Sequence, residues 1–263
     1  MRICRVAVDE EVSYGVVEGV GADGEITDET VVALLAGHPV GDLIPDGRVL
    51  PLADVRLLAP VIPSKVLAVG RNYAAHAQEF GNDVPAEPLI FLKPSTSVIG
   101  PRESIMLPWQ SENVEHEAEL AVVIKRLCRD VPAQSADDVI WGYTCANDVT
   151  ARDLQRRDGQ WTRAKGFDTF CPIGPWIETD FRPADAVIRC TVNGGVRQQA
   201  DLTQMVFDVP ALIEAVSAVM TLVPGDVILT GTPAGVGPLR EGDTVTVAID
   251  GIGSLTNRVV DRG

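Results

Sequence analysis

The sequence predicts an α+β chain dominated by strands. Short apolar, β-branched runs recur along it, such as Val66–Val69, Leu120–Ile124 and Val187–Val192, and Gly, Pro or Asn bounds them. Helical spacing appears only near residues 72–80, 149–157 and 209–220. Prolines 45, 51, 60 and 63 punctuate the passage between an N-terminal part and the rest. The expected division is a small β-rich N-terminal domain over 1–58 and a larger domain over 59–263.

Residues 2–8 and 12–18 are apolar or alternating runs split by Asp9-Glu10-Glu11, which predicts a hairpin. Gly19-Val-Gly21-Ala-Asp-Gly24 spells G-x-G-x-x-G, but it follows a hairpin and would turn Asp23 toward phosphate, so it reads as a turn. Asp28 to Ala36 reads as a short helix closed by Gly37. Lys65–Gly70 is a strand, and the Ala-rich stretch after it is a helix stopped by Gly81. In that helix His76 and Glu79 are spaced i, i+3, either as a surface pair or as a carboxylate that orients an imidazole base. Residues 89–93 form a strand ending in Lys93-Pro94.

The stretch 116–124 enters the core as a strand, so Glu117 and Glu119 share a face. Two repelling carboxylates there mark either an exposed acidic edge or a site for a hard divalent cation. Trp141–Asn147 reads as a buried strand leading to a helix that starts at Asp148 or Thr150, with Thr150 and Asp153 resembling a capping box. A helix starting at Asp148 would put Asp148, Arg152 and Gln155 on one face, at i, i+4, i+7. A plain N-cap and a surface ion pair are the alternatives for Asp148 and Arg152. Lys165 lies in an apolar loop between Trp161 and Trp176, where snorkelling is the ordinary use of a lysine. Residues 187–192 and the Arg197 region form a hairpin through Asn193-Gly194-Gly195, and Val209–Met220 is an amphipathic helix. Strand Val227–Thr230 feeds the glycine-rich loop Gly231-Thr232-Pro-Ala-Gly235-Val-Gly237, which lacks Gly-Lys-Ser/Thr and so is not a P-loop, though its N–H groups and Thr232 suit a carboxylate. Thr244–Ile249 and Ser254–Val260 close the sheet.

Several of these motifs, in this order, resemble the fumarylacetoacetate hydrolase family over roughly residues 60–260. They are Glu117-x-Glu119-Leu, Asn147-Asp148-Val-Thr-Ala-Arg152-Asp-Leu-Gln155 and Lys165-Gly-Phe-Asp-Thr-Phe-Cys-Pro-x-Gly-Pro, and Gly70-x-Asn-Tyr-x-x-His76-x-x-Glu79 matches the family's lid motif. The resemblance implies a mixed β-roll or barrel-like catalytic domain, assembled as a homodimer. It implies Mg²⁺ or Mn²⁺, with Ca²⁺ able to stand in, on Glu117, Glu119 and Asp148. Lys165 and the His76–Glu79 dyad would be catalytic, and Arg152, Gln155, Thr232 and Lys93 would meet the substrate. The substrate class is a 2-oxo or 2-hydroxy-dienoic acid that reacts through an enolate. The intact dyad, able to activate water, ranks C–C hydrolysis of an acylpyruvate-like substrate first, with oxaloacetate decarboxylation admitted beside it. The alternative is a 2-hydroxyhepta-2,4-diene-1,7-dioate isomerase or 5-oxopent-3-ene-1,2,5-tricarboxylate decarboxylase of aromatic catabolism. A non-catalytic metal-binding relative is a further alternative, which the intact ligands and dyad disfavour.

Composition narrows the rest. Against 22 Lys and Arg stand 37 Asp and Glu, a net charge of −15, which disfavours nucleic acid and anionic membranes as partners. The five cysteines include no Cys-x-x-Cys, which points to reduced thiols in a cytoplasmic protein. The N-terminal residues have no signal-peptide character, and no apolar run approaches membrane-spanning length.

Overall fold

The computed structural model describes residues 1–9, 11–21 and 26–261. Its largest sheet has twelve strands. Ten of them form one path: Pro45–Pro51, Val31–Leu35, Glu11–Glu18, Arg2–Val8, Cys171–Glu178, Ile140–Asn147, Ala118–Ile124, Val227–Leu229, Val66–Gly70 and Leu89–Lys93. Arg56–Leu58 adds to Arg2–Val8, and Val98–Ile99 adds to Cys171–Glu178. A five-stranded sheet runs Gly195–Asp201, Val187–Val192, Thr244–Ile249, Gly253–Asp261, Ser104–Leu107. A small third sheet joins Thr150–Ala151, Val114–His116 and Gly237–Pro238. The pairing is mixed: Val227–Leu229 lies parallel to Val66–Gly70, while Ala118–Ile124 is antiparallel to both its neighbours.

The expected β-rich α+β class holds, but the barrel-like closure does not: the terminal strands of the ten-strand path, Pro45–Pro51 and Leu89–Lys93, do not pair with each other. Proline explains both ends. Pro45 and Pro51 bound one strand and Pro94 follows the other, and a proline has no N–H to extend a ladder. Near the expected boundary at residue 58 the sheet is continuous, because Arg2 and Ile3 pair with Glu178 and Ile177.

The strand Ala118–Ile124 is buried on both faces. Leu120, Val122 and Ile124 join a core with Ile188, Val247 and Leu255 of the five-stranded sheet. Ala121 and Val123 face Val66, Ala68, Ile173 and Val227 instead. A continuous apolar run suits such a strand better than alternation does.

Four α-helices are present among the described residues: α1 (Ala74–Glu79), α2 (Arg152–Asp158), α3 (Thr162–Lys165) and α4 (Val209–Val219). Helix α4 follows its sequence signals. Asp208 caps it by accepting from the Ala211 N–H at 3.0 Å, and Val209, Leu212, Ile213 and Val216 form the buried stripe.

Four local expectations change. Asp28–Ala36 is not a helix: Val31–Leu35 is a strand paired with Tyr14–Glu18, where β-branched Val31 and Val32 and the waiting hairpin edge outweigh the weak helical pattern. The helix after Asn147 starts only at Arg152. Val149 donates to the Phe170 carbonyl, Asp148 to the Glu117 carbonyl, and Thr150 pairs with Glu115, so this segment stays extended. No Thr150–Asp153 capping box forms: Ala151 holds the cap position and Asp153 accepts from the Ser111 hydroxyl at 2.5 Å. Lys165 closes the short helix α3 rather than lying in a loop. Around the glycine-rich turn, Gly19 has φ +76, while residues 22–25 lie outside the described set.

Candidate active site

The site forms at one end of four neighbouring central strands. Val66–Gly70 and Val227–Leu229 are parallel and both finish there, Ala118–Ile124 begins there, and Ile140–Asn147 finishes against it through the Ala118–Asn147 pair. Each strand therefore delivers its next residues to one place: α1 after Gly70, the glycine-rich loop after Leu229, Glu117 before Ala118, and Asp148 after Asn147.

The expected single strand over 116–124 breaks at Glu117. Asn147 Oδ1 accepts the Glu117 N–H at 2.9 Å, and the Asp148 N–H donates to the Glu117 carbonyl at 2.8 Å. This lock aims Glu117 at Asp148. Oxygens of Glu117, Glu119 and Asp148 come within 4.8 Å of one another, and all three residues are buried. Lys165 Nζ donates to Glu117 at 2.7 Å and to Asp148 at 2.6 Å. Arg152 donates to Glu117 from Nη2 at 2.6 Å, to Glu115 from Nε at 2.7 Å and to Gln155 from Nη1 at 2.7 Å, and its guanidinium lies 4.8 Å from the Phe80 ring centre.

Burial acts on every charge here, and the neighbours decide the outcome. Burial pushes the Glu117 carboxyl up, but Lys165 and Arg152 outweigh it and hold the group well below the usual range. Glu119 goes the other way. Burial, then the charges of Asp148 and Glu117, raise it well above the ordinary carboxylate value. Burial lowers the Lys165 ammonium, yet Asp148 and Glu117 raise it further than burial lowers it.

Glu119 supplies the test of whether a cation fits. One oxygen accepts the Gly231 N–H at 2.6 Å; the other accepts no hydrogen bond among the described residues, and the residue lines the cavity. A buried carboxylate crowded by two others suits a hard divalent ion with oxygen ligands.

These groups form the floor of a cavity of about 290 Å³. His76, Phe80, Phe91 and Trp161 line it, and so do Thr232, Gln155, Arg71 and Arg156. His76 Nδ1 lies 3.2 Å from Glu79 Oε2, so a proton on Nδ1 faces the carboxylate and Nε2 is left as the acceptor. Gly235 N–H donates to Glu79 at 3.2 Å, which ties α1 to the glycine-rich loop. Thr232 Oγ1 accepts from Gln198 Nε2 at 2.7 Å and keeps its own proton to donate.

The structure thus brings together Glu117, Glu119, Asp148, Lys165, His76, Glu79, Arg152, Gln155 and Thr232. Two expectations change in detail. Asp148, Arg152 and Gln155 do not share a helix face, since Asp148 precedes α2; Arg152 and Gln155 meet each other at i, i+3. Lys93 is 1% exposed and does not line the cavity. Its ammonium lies beneath Asp148, donating to Oδ1 at 2.6 Å and to the Lys165 carbonyl at 2.5 Å.

Some residues escape the sequence reading. Glu115 has a signal, because it continues the alternation of Glu117 and Glu119. Gln198 has none. It comes from a distant hairpin, and its Oε1 accepts the Ala118 N–H at 3.0 Å beside His116.

Residues 65–260 match the model of the fumarylacetoacetate (FAA) hydrolase C-terminal domain, and residues 1–60 match an Rv2993c-like N-terminal domain. The chain belongs to the fumarylacetoacetate hydrolase family. It is an enzyme of that family, and three relatives illustrate its range. A 2-hydroxyhepta-2,4-diene-1,7-dioate isomerase from Mycobacterium marinum is 53% identical, with a TM-score of 0.92 over 100% of this chain and 99% of that one. A mitochondrial oxaloacetate decarboxylase from Dictyostelium discoideum is 46% identical over 72% of this chain and 89% of its own. A maleylpyruvate hydrolase from Sphingobium sp. SYK-6, solved with manganese(II) and pyruvate, is 34% identical, with a TM-score of 0.80 over 99% of both chains. Among the described residues, no helix is long and apolar enough to cross a membrane.

Proposed function

We propose that this family member moves a proton along a 2-hydroxy-dienoic or 2-oxo dicarboxylic acid, as an isomerase or a β-keto acid decarboxylase does. The observation that carries the reading is the cluster of three buried carboxylates braced by Lys165 at the floor of a small cavity, with His76–Glu79 in its wall. The motifs alone rank acylpyruvate hydrolysis first. The relatives support the alternative better, since the isomerase is 53% identical and the hydrolase 34%.

Glu117, Glu119 and Asp148 would hold Mg²⁺ or Mn²⁺, with Ca²⁺ able to stand in, and the bound ion would polarise the substrate's carboxylate and adjacent oxygen as a Lewis acid. Lys165 spends two of its three N–H groups on Glu117 and Asp148, leaving one for negative charge developing on the substrate's 2-oxygen. Thr232 donates its remaining proton to the substrate carboxylate. His76 Nε2 takes the proton from the 2-hydroxyl and returns it to a carbon further along the chain, while Glu79 stabilises the imidazolium between the two events. For a β-keto acid, loss of CO₂ yields the same electron pair, and a single proton delivery completes the reaction. Arg152 and Gln155 keep Glu117 aimed at the floor. Lys93 balances Asp148 from below.

The test is turnover of 2-hydroxyhepta-2,4-diene-1,7-dioate, oxaloacetate and acetylpyruvate by chelator-treated protein, with and without Mg²⁺ or Mn²⁺. Metal-restored turnover of either of the first two, faster than acetylpyruvate cleavage, is expected. Metal-restored cleavage of acetylpyruvate alone would return the assignment to hydrolysis.

A further inference from the structure

The cavity has two ends of opposite chemistry. At the buried end lie Glu117, Glu119, Asp148 and Lys165, all 5% exposed or less. The open end holds Arg71, half-buried, and Arg156, exposed. Among the described residues neither guanidinium is paired with a carboxylate, although nearby Arg152 and Arg163 both are. In a chain of net charge −15, two unpaired arginines on one cavity stand out.

Arg71 is also held in an unusual conformation. Its φ is +59, in the left-handed region that few non-glycine residues adopt. Both neighbours force this. Gly70 lies under Trp161, leaving no room for a side chain. Asn72 is wholly buried and fixed by Thr230 and Phe207, with Nδ2 donating at 2.7 and 2.9 Å and Oδ1 accepting at 2.8 Å. The chain must turn sharply between two anchored residues, and the turn puts Arg71 on the cavity.

We propose that Arg71 and Arg156 together receive the far carboxylate of the substrate, so that the enzyme selects dicarboxylic over monocarboxylic acids. The inference rests on the reading of the site as one for 2-oxo or 2-hydroxy-dienoic acids, whose near carboxylate goes to the buried end. Arg152 is not available for this role, because all three of its nitrogens are engaged by Glu115, Glu117 and Gln155. A guanidinium pair fits a carboxylate through charge-assisted hydrogen bonds, and the rim position lets the charge also steer the approach of an anion.

Two 2-oxo acids of equal carbon number separate the far carboxylate from everything else: 2-oxoadipate and 2-oxohexanoate. Their affinities for the Mn²⁺-supplemented protein are measured by calorimetry at low salt. The wild type should bind 2-oxoadipate at least about tenfold tighter, as expected for hydrogen bonds to a charged group. The ratio should fall in Arg71→Asn, a residue that tolerates positive φ, and in Arg156→Gln on the exposed face of α2, and should approach one in the double variant. Arg156→Lys should restore part of it. A wild-type ratio near one, or a ratio preserved in the double variant, overturns the proposal. The readout needs no turnover. A wild-type preference with no turnover of the dienoate or of oxaloacetate would sink the proposed activity alone, and turnover without the preference would sink the arginine assignment alone.

Discussion

At the scale of single residues, the site is a balance of buried charge that does not quite close. Glu115, Glu117, Glu119 and Asp148 face Lys93, Lys165 and Arg152, and Glu119 is the carboxylate that no side-chain cation contacts directly. Its raised pKa means that its charged form costs the metal-free protein stability at neutral pH. Glu119→Gln keeps the acceptor for the Gly231 N–H and removes the repulsion. We expect its metal-free form to melt higher than the metal-free wild type, by roughly 2–4 °C for each kcal/mol relieved. Addition of Mn²⁺ should stabilise the wild type and not the variant. A lower midpoint for metal-free Glu119→Gln, in differential scanning calorimetry, would contradict this account of the charge balance. Much of the cluster is legible in sequence, because strand alternation puts Glu117 and Glu119 on one face and extends to Glu115. What alternation misses is the break at Glu117, which depends on the Asn147 side chain one strand away.

At the scale of elements, the site depends on how tightly α2, α3 and the strand Val66–Gly70 meet. Trp161 lies between α2 and α3, over Gly70 and edge-on to Phe91 with ring centres 5.1 Å apart. A Cβ added at Gly70 would lie 2.7 Å from the Trp161 ring. Gly70→Ala should therefore displace that wall. We expect a loss of about 1–3 kcal/mol in urea unfolding, typical of overpacking, together with a raised KM and altered tryptophan fluorescence. An unchanged KM would mean that Trp161 does not shape the substrate's path. Sequence spacing finds α1 and α4 well, since their own residues supply the stops, the cap and the stripe. It misplaces the start of α2 and misreads Val31–Leu35, because in both cases the deciding hydrogen bonds come from partners far away in the chain: Glu115 and Phe170 for one, Tyr14–Glu18 for the other.

At the scale of the whole molecule, burial sets the chemistry of the five free thiols. It pushes Cys4, Cys171 and Cys190 up to about 12 and raises Cys145 too, while Cys128 is half-buried. The folded chain thus keeps protons that the unfolded chain releases from about pH 9 upward, and its stability falls as pH rises from 9 toward 12. At pH 8, iodoacetamide should label Cys128 alone in folded protein and all five cysteines in urea, as counted by mass spectrometry. Labelling of Cys171 or Cys190 in folded protein would reveal opening of the core around them. The reduced thiols are legible from their number and spacing. The shape of the sheet is not, because closure depends on whether distant edges meet, and composition carries no record of that. The two-residue pairing of Arg2–Ile3 with Ile177–Glu178 also has a bearing on misassembly. The N-terminal strand occupies hydrogen-bonding groups that would otherwise be open to any passing extended chain. A molecule that lost this strand would offer a sticky seam next to the strand that leads to Asp148, and the first victim of the resulting aggregation would be solubility rather than chemistry.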